Sequence, residues 1–377
     1  MSQTVDRTAL PASPAQDVPD PAPETPARSS GVLRMWQRLP WGMRYFLGRL
    51  ALVPVTLFAL CTLAFGLVNL IPSNPAGVLL GDFATPEEIA RVNAELGLDQ
   101  SLWTRYVEFL KALAGGSLGE SYFTGESVTV ALGARVASTL ELVVGAWIVA
   151  LVLGTTLGVA MAYWKSPVAR SSISTGVALI QAIPDFVLGI LGSLVFFYFL
   201  GVLPLPLGQL PMTASSPPAI TGAAFLDAVL TGDWSTAGAA AQQMVLPIAA
   251  LGISGSVVFA RVVYAAAAEV FASSHTAFAR ARGIGEPTVV RLAVRASLLP
   301  AVAASGIVVG SLIGGSAVVE VVFNWQGLGQ WGAEGALEAD IPVLEGYIIA
   351  GAGLALLAYI VADMSMYWLD PRVRVKR

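Results

Sequence analysis

The sequence predicts an all-α polytopic membrane protein with six transmembrane helices. Three observations carry that prediction: the scarcity of charge, its uneven placement, and the side of each apolar run on which Lys and Arg collect. Of 377 residues, 55% are hydrophobic and 12% are charged. A soluble chain is about one quarter charged, so this one has half the charge needed to solvate a globular surface. Leu50–Ile71, Leu142–Trp164 and Ala296–Val319 carry no charge at all. Each is long enough to cross a hydrocarbon core, which takes roughly 20 apolar residues as helix.

Residues 1–33, within a tail placed at 1–43, are rich in Pro, Ala, Ser and Asp and lack the apolar core of a signal peptide. A disordered tail is expected there. The first span is placed at 44–71, near Tyr45–Ile71. An outer helical segment follows over 72–135. In it, Thr85-Pro86-Glu87-Glu88 reads as a helix start, with Thr as N-cap, Pro at the first position and Glu as capping-box partner. Gly97 stops that helix, and a second runs over Ser101–Leu113 to Gly115.

The membrane core is placed at 136–369, with spans near Leu140–Trp164, Ser172–Val202, Met244–Val263, Ala296–Val319 and Glu345–Leu369. The third contains Pro184 beside Asp185 and is expected to kink. The fourth is expected to end near Arg261. Between spans three and four, a short helix is expected at Ala223–Leu230. A tail of 370–377 closes the chain.

Lys and Arg fix the orientation. Arg34, Arg38, Arg44 and Arg49 precede span one, and Lys165 and Arg170 separate spans two and three. Arg280, Arg282, Arg291 and Arg295 separate four and five, and Arg372, Arg374, Lys376 and Arg377 follow six. On the other side the basic residues of 72–135 are diluted by eight acids from Asp82 to Glu126, and 202–243 and 322–343 hold no Lys or Arg. The N- and C-termini are therefore expected in the cytoplasm. Tyr163, Trp164, Trp325, Trp331, Tyr367 and Trp368 fall at span ends, as an interfacial aromatic belt would.

Much chemistry is excluded. A single histidine, His275, builds neither a Ser-His-Asp site nor a His-rich metal site; it reads as a solvated loop residue. The single cysteine, Cys61, excludes a disulfide framework within the chain and reads as a small buried apolar residue. No Gly-Lys-Ser/Thr occurs, so a Walker A phosphate loop is missing. No catalytic residue and no metal site are expected, and no cofactor bound by this chain.

Charged residues inside spans are candidate substrate or ion sites. Here they are Glu141, Asp185, Glu320 and Asp363. Glu141, Glu320 and Asp363 lie near span ends, where water reaches them. Asp185, deeper in its span, is the candidate for a polar pathway together with Pro184. No row of acidic relay residues appears. Gly306, Gly310 and Gly314 recur every four residues on span five and make a smooth face, suited equally to packing within the bundle and to a subunit interface or pore.

The loop 269–297 is the most organised. Thr276–Arg282 reads as a short helix, basic in its last turn, with Gly283 as its stop. A second helix begins after Gly285-Glu286-Pro287. This helix–Gly–helix elbow suits docking into a groove on a partner.

Glu269, then Ala279-Arg280-Ala281-Arg282-Gly283, then Leu298-Leu299-Pro300 resembles the EAA loop of binding-protein-dependent ABC permeases, in the dipeptide/oligopeptide branch that includes nickel and glutathione permeases. Further resemblance lies in Ile71-Pro72-Ser73-Asn74-Pro75, Ser117–Ser121, Ser138–Leu142, Ile183–Phe186, Leu246-Pro247, Glu320 with Phe323, Gly327-Leu328-Gly329 and Leu369–Arg372. The order and spacing of these stretches carry it from Arg49 to Arg372. Departures stand at Ser274, His275, Arg282, Gln326, Ala293 and Ser297.

The resemblance implies a type I ABC importer permease fold in the bacterial inner membrane. It implies a second homologous permease, two cytoplasmic ATPase chains that bind ATP and magnesium, and an extracytoplasmic substrate-binding protein. A nucleic acid is not among the partners. It assigns Glu269, Ala279, Arg280, Ala281, Arg282, Gly283, Gly285 and Glu286 to an ATPase-coupling loop. Peptides are the expected cargo, with nickel and glutathione as alternatives, and Asp185 is suited to a peptide amino terminus. A self-contained secondary transporter or channel is the rival reading.

Overall fold

A computed structural model describes residues 41–70, 74–81 and 83–369. The chain divides at Tyr45/Phe46, and the helical bundle belongs to the second unit, Phe46–Arg377. Most of the expected tail, the stretch Ile71-Pro72-Ser73 and the tail 370–377 lie outside the described residues. The described residues are helices and turns, with one isolated bridge between Glu120 and Ser127.

Thirteen α-helices are described. α1 is Trp41–Leu70, starting ahead of the expected first span. Three short helices follow: α2 (Pro75–Leu80), α3 (Pro86–Glu95) and α4 (Leu102–Ala114). α3 starts where the Thr85 pattern puts it. The Thr85 hydroxyl accepts from Glu88 N, and the Glu88 carboxylate accepts from Thr85 N at 2.9 Å, closing the capping box. The loss of the Glu88 proton is favoured by those bonds, chiefly the one from the Thr85 backbone, so its carboxyl lies below its ordinary value.

α5 (Val128–Tyr163), α9 (Trp234–Ala272), α11 (Glu286–Val322) and α13 (Ile341–Leu369) are long apolar helices. With α1 they make five helices able to cross a membrane, and six when one bent pair counts as a single span. Most outrun their expected limits. α5 begins twelve residues before Leu140, carrying Arg135 into the helix, and α9 continues past Arg261 to Ala272. Apolar runs mark only the part of a helix that meets hydrocarbon, roughly 30 Å. At 1.5 Å per residue, the 36 residues of α5 and the 39 of α9 are much longer.

The expected third span is that bent pair. α6 (Pro167–Ala182) and α7 (Asp185–Gly192, continued by a π-helical turn Ser193–Phe199) meet at 99°. Pro184 causes it. A residue before proline is driven out of the helical region, and Ile183 is extended at φ −97°, ψ 123°. α8 is Ala224–Thr231, α10 is Ser274–Ala281 and α12 is Leu328–Glu338. α12 falls in a stretch that carries no helix expectation.

The core sits where α5, α9 and α11 meet, around Val143, Ala146, Phe259, Val263, Val308 and Val319. The most extensive helix contact is α5 on α9. A Cβ at Gly154 would lie 2.5 Å from the Ser256 carbonyl oxygen, and one at Gly158 would lie 2.6 Å from that of Ala260. Glycines therefore bring two backbones together. Gly306 and Gly310 do so more loosely, against Tyr359 of α13, while Gly314 faces open space.

Trp325 and Trp331 do not stand in an aromatic belt. Both are buried, and the Trp325 indole N–H donates to the Ser138 carbonyl at 3.2 Å. Trp164 and Trp368 are exposed at helix ends.

Candidate functional site

The elbow between α9 and α11 is built from backbone devices. α9 ends at Ala272, and Ser273 caps α10 by accepting from Thr276 N. Thr276 is fully buried, and its hydroxyl donates to the Val270 carbonyl at 2.6 Å, fixing the joint. At the other end Ile284 N donates to Ala279 O (3.1 Å) and Gly283 N to Arg280 O (3.0 Å). That pair of bonds is a Schellman stop with Gly283 as its left-handed residue, at φ +76°.

One ion pair crosses the turn. The Arg280 guanidinium donates to both carboxylate oxygens of Glu286, at 2.8 and 3.2 Å. That hydrogen bond holds the Arg280 guanidinium protonated even above its ordinary range. The structure thus brings Ala279, Arg280, Ala281, Arg282, Gly283, Gly285 and Glu286 into one compact corner. Glu269 stands exposed one turn before the end of α9. Phe278 is 63% exposed, with the Arg282 guanidinium 5.7 Å from its ring centre. α10 begins two residues earlier than expected, because Ser273 supplies the cap.

Glu320 differs from its expectation. A place near water at a span end is expected for it, yet it has no exposed surface. The chain turns back after α11 and lays the start of α12 over it. Thr139 and Ser316 donate their hydroxyls to Glu320 Oε1, at 2.8 and 2.9 Å. Gly329 N and Gln330 N donate to Oε2, at 2.7 and 3.1 Å. Thr139 also accepts from Leu328 N at 2.7 Å, so one hydroxyl joins both chain segments. The carboxylate ties α5, α11 and the N-terminus of α12 into a single knot. Gly327 makes room for it: a Cβ there would come within 2.6 Å of Thr139 Oγ1 and nearer still to Glu320 Oε2.

A second polar tie has no signal in the sequence. Asn69 of α1 donates to Glu345 Oε1 of α13 at 2.9 Å and accepts from Arg105 of α4. Close by, the Ser121 hydroxyl donates to the buried Asp340 carboxylate at 2.6 Å. No local pattern links residues so far apart in the chain.

Asp185 opens α7 just beyond the break, partly buried, and accepts from its neighbour Phe186 N at 2.9 Å. Its other carboxylate oxygen faces Gly315 of α11, where a Cβ would be 3.0 Å away. Arg261 of α9 donates to Gln181 Oε1 on the other side of the break. Arg261 is expected at the end of a span, and α9 continues past it to Ala272 without a break. Among the described residues no three His, Cys, Asp or Glu side chains are grouped to hold a metal ion.

Residues 154–375 match the family described as binding-protein-dependent transport system inner membrane component. The chain belongs to that family. Residues 42–160 match the N-terminal part of the same kind of membrane component. Curated relatives agree along nearly the whole chain. The dipeptide transport system permease of Alkalihalophilus pseudofirmus is 30% identical over 88% of this chain and 99% of its own. A probable D,D-dipeptide permease of Escherichia coli is 32% identical over 83% and 92%. A glutathione transport system permease of Salmonella choleraesuis is 29% identical over 89% and 100%. This inner membrane component is thus a permease subunit of an ABC-type importer, and the rival of a self-contained transporter falls away.

Proposed function

We propose that this permease forms half of a peptide pathway, that a second, similar permease forms the other half, and that the α10 elbow is the docking point of a partner ATPase. The cargo follows from the relatives, which are named for dipeptides and glutathione. All are short peptides with a free carboxylate. A binding protein delivers the peptide on the outer side. Two ATPase chains, which hold ATP and magnesium, work on the inner side; the clusters of Lys and Arg beside the elbow and near both termini support the same side for them.

The construction of the elbow carries this reading. A helix of two turns is fixed at one end by Ser273 and Thr276 and at the other by the Gly283 stop. It presents Phe278 and Arg282 outward. Such a corner moves as a unit when a partner groove closes on it, because packed interfaces switch between discrete arrangements. ATP-driven closure of the ATPases then shifts α9 and α11, which are continuous with the elbow.

Gly283 gives the test. Nothing lies within 4 Å of a Cβ built there, so bulk is not the obstacle. The left-handed backbone is, and a residue with a Cβ loses about 1–2 kcal/mol in it. In the assembled importer, Gly283→Val is expected to keep normal membrane levels while peptide uptake falls and ATP hydrolysis continues uncoupled. Gly283→Asn is expected to retain most uptake, since Asn tolerates this conformation. Full uptake by Gly283→Val would sink the proposal.

A further inference from the structure

The break between α6 and α7 leaves irregular backbone in a membrane-crossing segment. Such backbone is tolerated only where it is buried in protein or lines water. Gln181, Ala182 and Pro184 are all exposed, so this chain does not bury it. Across from the break stands Arg261, exposed on α9 and bonded to Gln181. Arg261 lies level with Gly158 of α5, whose Cβ position meets the Ala260 carbonyl, six residues short of Trp164. α9 continues eleven residues beyond it. A guanidinium at such a place is expensive to keep unless water or a counter-charge reaches it. The ion pairs among the described residues are Arg91–Glu95 and Arg280–Glu286, so neither serves Arg261. One surface satisfies both the open backbone and the unpaired cation: a water-filled route.

The chemistry of that surface is specific. Gln181 accepts through its carbonyl oxygen, which orients the guanidinium and leaves its own amide N–H₂ as a donor. The planar fork of arginine matches a carboxylate with two parallel hydrogen bonds. Asp185, four residues on, adds an anionic group on the same broken segment. A zwitterionic peptide carries the complementary pair.

We infer that Arg261, oriented by Gln181, binds the C-terminal carboxylate of the peptide in transit, with Asp185 facing its ammonium end. The inference rests on the peptide-importer reading. It assigns a place on the route to a residue that the elbow and the Glu320 knot do not use.

The test uses the whole importer with its partner chains, in nanodiscs, in a Cys61→Ala background. Ala182→Cys is placed at the break, and its reaction with a charged, membrane-impermeant thiol reagent is followed by mass on this chain. The cysteine is expected to react. Alanyl-alanine is expected to slow the reaction, and alanyl-alanine amide, which lacks the carboxylate, is expected not to. Adding Arg261→Gln should raise the half-protecting concentration about tenfold, while Arg261→Lys, which keeps the charge, should raise it less.

An unreactive cysteine overturns the inference, as does equal protection by the amide or protection unchanged in Arg261→Gln. Co-elution of each variant with its partner chains in the nanodisc peak is the control that it is inserted; if Arg261→Gln is not, Arg261→Lys and the amide comparison decide. Uptake of alanyl-alanine by the unmodified importer separates the two readings. If the dipeptide enters but gives no protection, only the Arg261 site fails; if it does not enter, both fail.

Discussion

Glu286 and Glu320 stand near the two ends of α11 and are held in contrasting ways. Glu286 is exposed at the first turn and meets one partner, Arg280. Glu320 has no exposed surface and accepts four hydrogen bonds from three segments of the chain. An exposed ion pair contributes little to stability, so the elbow relies on its caps and leaves its surface open. A buried carboxylate must be fully satisfied, so the far end of α11 is committed to holding the fold. One helix thus joins the end proposed to be moved to an end built to stay.

Removing the buried carboxylate gives the largest expected effect. Glu320→Leu leaves Gly329 N, Gln330 N and the Thr139 hydroxyl proton without their acceptor, and each buried orphan costs about 1–3 kcal/mol. A large fall in the yield of folded permease and in its Tm in detergent is expected. Glu320→Gln keeps one acceptor oxygen and should cost about 1–2 kcal/mol. A Glu320→Leu permease with unchanged Tm would break the comparison. A smaller effect belongs to Gly327→Ala, whose new methyl collides with the knot and should cost about 1–3 kcal/mol in thermal unfolding. Gly283→Ala meets no neighbour but is strained by the left-handed backbone; it should cost about 1–2 kcal/mol and show itself chiefly in uptake per ATP hydrolysed.

The smallest effect lies outside both ends, at the capping box of α3. Glu88 is held below its ordinary carboxyl value of 4.5 by its bonds to Thr85. A lowered folded value means the contribution is complete above 4.5 and is lost as pH falls through the folded value. Amide protection factors in the first turn of α3, each taken relative to the intrinsic exchange rate at its pH, should therefore be full at pH 6 and fall on acidification below the carboxylate range. Thr85→Ala should lower them at every pH. A flat pH response in the parent chain would remove Glu88 from the cap.

Local chemistry is legible in the sequence and long-range satisfaction is not. The α3 start, the stop at Gly115, the Gly283 turn and the apolar centres of the long helices follow from neighbouring residues and their period. The broken third span needs only Pro184, but the angle depends on how α7 packs against α9, which no window of residues reports. Glu320 defeats a local reading because its distance from an apolar run is not its distance from water; α12 folds back and seals it. Gly154 and Gly158 share the four-residue spacing of Gly306 and Gly310; that the closer contact falls to the first pair is decided by a partner a hundred residues away.

That contact between α5 and α9 has a mechanical consequence. Where the two backbones come closest, at Gly154 and Gly158, little side chain lies between them to shear, so the pair is stiff there. α9 is 39 residues long, about 58 Å at helical rise, and its inner end continues directly into the elbow. A tilt of roughly ten degrees there sweeps the other end through about 10 Å, by the same helical length. Under the proposed coupling, a small stroke at the elbow would become an opening of that width at the far end of α9.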